Sequence, residues 1–114
     1  MKMTEALDAL GALAQESRLQ VFRLLVQRGP QGLAAGRIAE RLDIPPATLS
    51  FHLGQLGQAG LVASRRDGRS IIYTADYQGM DRLMVFLYEN CGQGGCAPPP
   101  LEKRKRRSDP HLQE

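Results

Sequence analysis

The sequence predicts a mainly helical fold that carries one β-hairpin. Three observations lead there. Apolar residues recur at helical spacing in five segments separated by glycine, proline or polar residues. The third and fourth of these segments are parted by only "IPP", residues 44–46, so two short helices must meet at a tight turn. The stretch 61–75 then changes period, with Val62, Ile71, Ile72, Tyr73 and Thr74 favouring strand on either side of Asp67-Gly68.

Each element follows from local chemistry. Residues 4–14, "TEALDALGALA", are expected to form the first helix, capped by Thr4, with Leu7, Leu10 and Leu13, together with Ala6 and Ala14, in its apolar stripe. Ser17 is expected to cap a second helix, "RLQVFRLLVQR", whose apolar residues occupy several faces and place it centrally. "GPQG", residues 29–32, stops it. Residues 33–43 read as a short third helix with Leu33, Ile38 and Leu42 inward. Proline suits the first turn of a helix, so the fourth starts near Pro46 and ends at Gly60. Asp67-Gly68 is a strong hairpin-turn signal and is expected at the tip of the following hairpin. Residues 78–91 form the fifth helix, with Met80, Leu83, Met84, Leu87 and Tyr88 at helical spacing.

The order is therefore α1-α2-α3-α4-hairpin-α5. A helix–turn–helix followed at once by a basic two-stranded hairpin is a winged helix–turn–helix, in which the second helix of the pair enters the DNA major groove. Residues 1–96 make this domain. Residues 97–114, with Pro98–Pro100 and "KRKRR", are expected to be a disordered tail.

A length of 114 residues allows one modest core. The tail carries five basic and three acidic residues, and residues 1–96 carry ten and nine, so the body is near neutral. Any nucleic-acid footprint must then be a local patch. The N-terminal residues lack the continuous apolar run of a secretory signal, and the longest apolar run, "LMVFLY", is far short of the roughly 20 residues of a membrane span. The expected location is the cytoplasm, with no membrane partner. No paired acid–base constellation and no glycine-rich phosphate loop is present, and His52 and His111 stand in unrelated contexts, which argues against an enzyme.

On the fourth helix Leu49, Leu53 and Leu56 share one face and must pack inward. Ala47, Phe51, Gln55 and Gln58 then lie opposite, flanked by Thr48 and Ser50, with Pro46 at the helix start. Residues 44–63 hold no Asp, Glu, Lys or Arg. Such a surface fits base edges, which hydroxyls, amides and apolar groups can read. Phe51 suits a thymine methyl or packing under the wing, and His52 is expected to pack there. Arg65, Arg66 and Arg69 give the wing its charge, suited to phosphate or minor-groove contact. A winged helix used only for protein contacts is the alternative that the uncharged helix leaves open.

Together, "SRLQVFRLL" (17–25), "IAERLDIPPATLSFHLGQLGQAGLV" (38–62) and "RRDGRSIIY" (65–73) resemble the ArsR/SmtB family of dimeric winged-helix repressors. The resemblance covers roughly residues 5–96. It implies a homodimer built from the first and last helices, bound to a palindromic double-stranded operator and released by a metal or metalloid. The family's cysteine pair on the third helix is missing from "GRIAERLD" (36–43). Its zinc site on the last helix needs histidine, and "DRLMVFLYEN" has Asp81 and Glu89 but none, so no zinc is expected. A third type of site places cysteines just past the last helix, and "YENCGQGGC" is similar to it, with Gly92 where a second adjacent cysteine would stand.

Cys91 and Cys96 are the only cysteines in the chain. Thiolates are soft ligands for trivalent arsenic or antimony. Five residues span at most roughly 17 Å, and Gly92, Gly94 and Gly95 permit a tight reversal, so both sulfurs can reach one ion. Two thiolates satisfy a methylated or phenylated As(III); inorganic As(III) calls for a third ligand. A redox or persulfide switch is the alternative for the pair.

Overall fold

The computed structural model describes residues 1–89 of the chain. Cys91, Cys96, the expected domain boundary at 96 and the tail all lie outside the described residues.

Helix α1 spans Met3–Leu13. Its first turn is closed by Glu5, whose carboxylate accepts the amide of Lys2 at 2.8 Å; this bond holds the carboxyl below its ordinary range. Thr4 therefore lies inside the helix rather than capping it. The inward stripe is Ala6, Ala9 and Ala12, whereas Leu7 is 58% exposed and Leu10 is exposed beside it. Small residues let α1 lie close against the body, Leu13 packs at the edge of the core, and Leu7 and Leu10 point away.

Helix α2 spans Glu16–Arg28 and buries Val21, Phe22 and Leu25. Gln15, not Ser17, caps it, accepting the amide of Arg18 at 2.8 Å. Arg18 ties the two helices together, because its Nε donates to the carbonyl of Ala12 at 2.8 Å. A 3-10 turn, Gly29–Gln31, leads out of α2.

Leu33 and Ala34 are not helical. They form strand β1, antiparallel to the later strand β3, with Leu33 opposite Tyr73 and Ala34 opposite Ile72. Helix α3 starts after them, at Ala35, and runs to Leu42. Asp43 takes the left-handed conformation at φ 56°, which its short polar side chain tolerates. Ile44 then donates its amide to the carbonyl of Ala39 at 3.1 Å and is buried. Helix α4 follows at once, Pro46–Gln58.

Strands β2 (Val62–Asp67) and β3 (Ser70–Ala75) pair so that Asp67 faces Ser70. The two-residue loop is thus Gly68-Arg69, one position later than expected. Gly68 has φ 63° and Arg69 is not left-handed, the pattern of a type II′ turn with glycine first. The sheet order is β1-β3-β2, so the inner strand of the wing is also the partner of the helix–turn–helix.

Helix α5, Tyr77–Tyr88, is capped by Asp76, whose carboxylate accepts the amide of Gly79 at 3.0 Å. Leu83 is buried and Met80 half-buried, while Val85, Leu87 and Tyr88 are exposed. The core lies where α2, α3 and α4 meet, with Val21, Leu25, Ile38, Leu49, Leu56 and Leu61 removed from water. Each such aliphatic side chain contributes about 1.5–3 kcal/mol by burial. The expected winged helix–turn–helix architecture is observed, with one extra strand.

Candidate nucleic-acid interface

The first turn of α4 has no side-chain cap. Pro46 occupies an early helical position where an amide would go unpaired, and the carbonyl of Pro45 accepts the amide of Leu49 at 2.9 Å. Leu49, Leu53 and Leu56 are buried as their spacing requires, which fixes the rotation of the helix. Pro46, Ala47, Thr48, Ser50 and Phe51 are consequently exposed together on its first two turns. Phe51 is 59% exposed, so it does not pack under the wing. A helix of 13 residues is about 20 Å long and fits a major groove about 12 Å wide.

His52 is 7% exposed, and its ring faces Arg18 of α2, with Nδ1 3.4 Å from Nη1. A guanidinium only donates, so Nδ1 is the unprotonated nitrogen of a neutral imidazole. Burial first, and then the Arg18 charge, push the imidazole below its ordinary pKa. His52 therefore holds α4 to α2 and is turned away from the exposed face of α4. Its ring lies 5.9 Å from that of Phe51, tilted at 59°, and buttresses the exposed aromatic from behind.

Gln55 departs from the exposed group. It is half-buried and lines a cleft of about 310 Å³ between α1, α2 and the later turns of α4, together with Asp8, Arg18 and Gln58. The wing arginines also divide. Arg66 and Arg69 are exposed near the hairpin tip. Arg65 donates from Nη1 and Nη2 to the carbonyls of Pro30 and Gln31, at 3.3 and 3.0 Å. No signal in the sequence linked Arg65 to that turn, because the two lie 34 residues apart.

Among the described residues, no group of three or more His, Cys, Asp or Glu side chains is placed to hold a metal ion. Among the same residues, no helix is long and apolar enough to cross a membrane.

A helix-turn-helix domain model matches residues 13–65. The transcriptional activator HlyU of Vibrio cholerae is 32% identical over 92 residues, covering 78% of this chain and 82% of HlyU. Among solved structures, an ArsR-like transcriptional regulator from Rhodococcus sp. RHA1 superposes with a TM-score of 0.68 at 26% identity, over 92% of this chain and 88% of that one. The homodimeric winged helix-turn-helix DNA-binding domain of Mb0332 from Mycobacterium bovis gives 0.64 at 28%, over 83% and 89%. On the identity and coverage of these relatives, and with a helix–turn–helix followed by a hairpin in its own element order, the chain belongs to the ArsR family of winged helix–turn–helix transcriptional regulators.

Proposed function

We propose that the chain works as a homodimeric repressor that leaves a palindromic operator when a trivalent arsenical bridges Cys91 and Cys96. The observation that carries the DNA-reading half is the outward, uncharged start of α4. Thr48 and Ser50 offer hydroxyls, Ala47 and Phe51 offer apolar contact for a thymine methyl, and Pro46 opens the helix toward the groove. Arg66 and Arg69 of the wing supply phosphate or minor-groove contact beside it.

The dimer is supported by apolar side chains left in water on α1 and α5, among them Met3, Leu7, Val85 and Leu87. It is supported too by the homodimeric form of the similar Mb0332 domain.

The inducer half rests on thiolate chemistry. Cys91 follows the last described residue, Glu89, by two positions, so the pair stands just past the helix that the dimer uses. Soft thiolates select trivalent arsenic or antimony over zinc in a site without histidine. Methylated arsenicals need only these two sulfurs; arsenite takes a third ligand. A regulator on operator DNA works in a reducing compartment, which keeps both thiols available. Closing the pair on arsenic alters the end of α5, and through the dimer the spacing of two recognition helices that must sit about one DNA turn apart.

The test is fluorescence anisotropy of labelled promoter DNA with reduced protein, titrated in parallel with methylarsenite, arsenite, zinc and peroxide. Release by the arsenicals, lost in Cys91→Ser and Cys96→Ser while DNA binding persists, is the expected result. Release by peroxide alone would assign the cysteines to a redox switch. Absence of any salt-dependent DNA binding would leave a protein-interaction module.

A further inference from the structure

We infer that Arg65 is a wing-positioning residue, which docks the base of the hairpin on the turn after α2 and so aims Arg66 and Arg69, and does not itself serve as a phosphate contact. The inference rests on the DNA-binding half of the proposed function and is independent of the inducer.

The turn at residues 29–32 ends α2, and its carbonyls sit at the negative end of that helix. Three of them in succession accept from arginines. Arg65 takes Pro30 and Gln31 with the two ends of its fork, and Arg28 donates from Nε to Gly32 at 3.0 Å. A planar guanidinium can span two neighbouring carbonyls in this way; a lysine ammonium is a point donor and cannot. Arg65 is opposite Ile72 in the wing register, and Ile72 is in turn opposite Ala34 of β1. The arginine therefore bonds the outer strand of the wing across to the turn that feeds β1, on the far side of β3. Without it, β2 is held to the body through β3 and the start of the hairpin. Arg66, next along the strand, points to the opposite face, and Arg69 lies in the loop. Among the described residues neither has a side-chain hydrogen bond or ion pair while Arg65 is engaged.

Two alternatives differ in charge bookkeeping. A phosphate contact contributes its own share to the salt dependence of binding, a slope of about 0.9 per contact. Lysine at that position would keep most of it. A positioning residue acts only through the arginines it aims, so its effect vanishes when they are removed.

The experiment measures operator affinity against salt for the full-length chain, for Arg65→Ala and Arg65→Lys, and for Arg65→Ala added to an Arg66→Ala/Arg69→Ala background. Expected is a loss of about tenfold for both Arg65 variants in the wild-type wing, with lysine failing to rescue, and no further loss in the background lacking Arg66 and Arg69. Amide exchange without DNA should rise over residues 29–34 and 62–75 in both Arg65 variants but not in Arg66→Ala, with unchanged helical circular dichroism. Rescue by lysine, or a further drop of about 0.9 in salt slope in the Arg66→Ala/Arg69→Ala background, would overturn the inference. So would unchanged exchange in Arg65→Ala, and that readout holds even if the wild-type chain binds no DNA.

Discussion

A β-carbon at Gly32 would run into the carbonyl of Tyr73 and come within 2.7 Å of Ile72 Cγ2 and 2.8 Å of Thr74 Cγ2. The residue also has φ 68°, a conformation that costs a side-chain-bearing residue strain. The backbone has no room to give, because β1 begins at the next residue and is paired to the same strand. Gly32→Ala is expected to destabilise the chain by about 1–3 kcal/mol, read as a lower urea midpoint. The sequence marked "GPQG" as a stop, and so it is. It did not mark which glycine is sterically required, since the colliding atoms come from residues 72–74. The same holds for Phe51 and His52. Helical spacing left Phe51 open and put His52 under the wing, and only the packing of α2 sends one ring outward and the other against Arg18.

Packing between elements carries a pH dependence. The α2–α4 contact holds a neutral imidazole beside a guanidinium. Folding depresses the pKa of His52, while the unfolded chain titrates near 6.5. Between those two values the unfolded state binds more protons, so the stability that His52 contributes is present above about pH 6.5 and is lost as pH falls toward the folded value. Urea unfolding at pH 7 and pH 5 should show a larger loss for wild type than for His52→Gln; equal losses would mean that the imidazole stays solvated. Elements defined by their own periodicity were legible: α2 and α4 stand where spacing placed them, and so does the hairpin, its loop one position later. The pattern failed where partners are distant. Strand β1 is two residues long and exists only because β3 passes beside it. The face of α1 was displaced, because Ala6, Ala9 and Ala12 meet the body with Leu13 at their edge, while Leu7 and Leu10 face water.

At the scale of the whole molecule, that displacement has a use. Leu7 and Val85, 58% and 65% exposed, lie on helices that touch each other and mark the surface expected to close the dimer. Leu7→Glu with Val85→Glu should shift sedimentation to monomer and weaken operator binding, with helical content retained; a persistent dimer would place the interface elsewhere. The winged architecture was readable from order alone, whereas the cysteine chemistry follows from residue type and lies beyond the described residues. One junction bears on how the two ends communicate. Gly79, in the first turn of α5, lies so close to the carbonyl of Gly60 that no β-carbon fits between them, and Asp76 donates its amide to Leu61 at 2.8 Å. The end of the recognition helix and the root of α5 are thus pinned at one fulcrum. From there α5 extends over 12 residues, about 18 Å, to Tyr88. It is a lever arm, and a 1 Å displacement at its free end corresponds to a tilt of about 3° at the pivot. In the proposed repressor, small movements of the tip would be delivered as rotation to the start of α4.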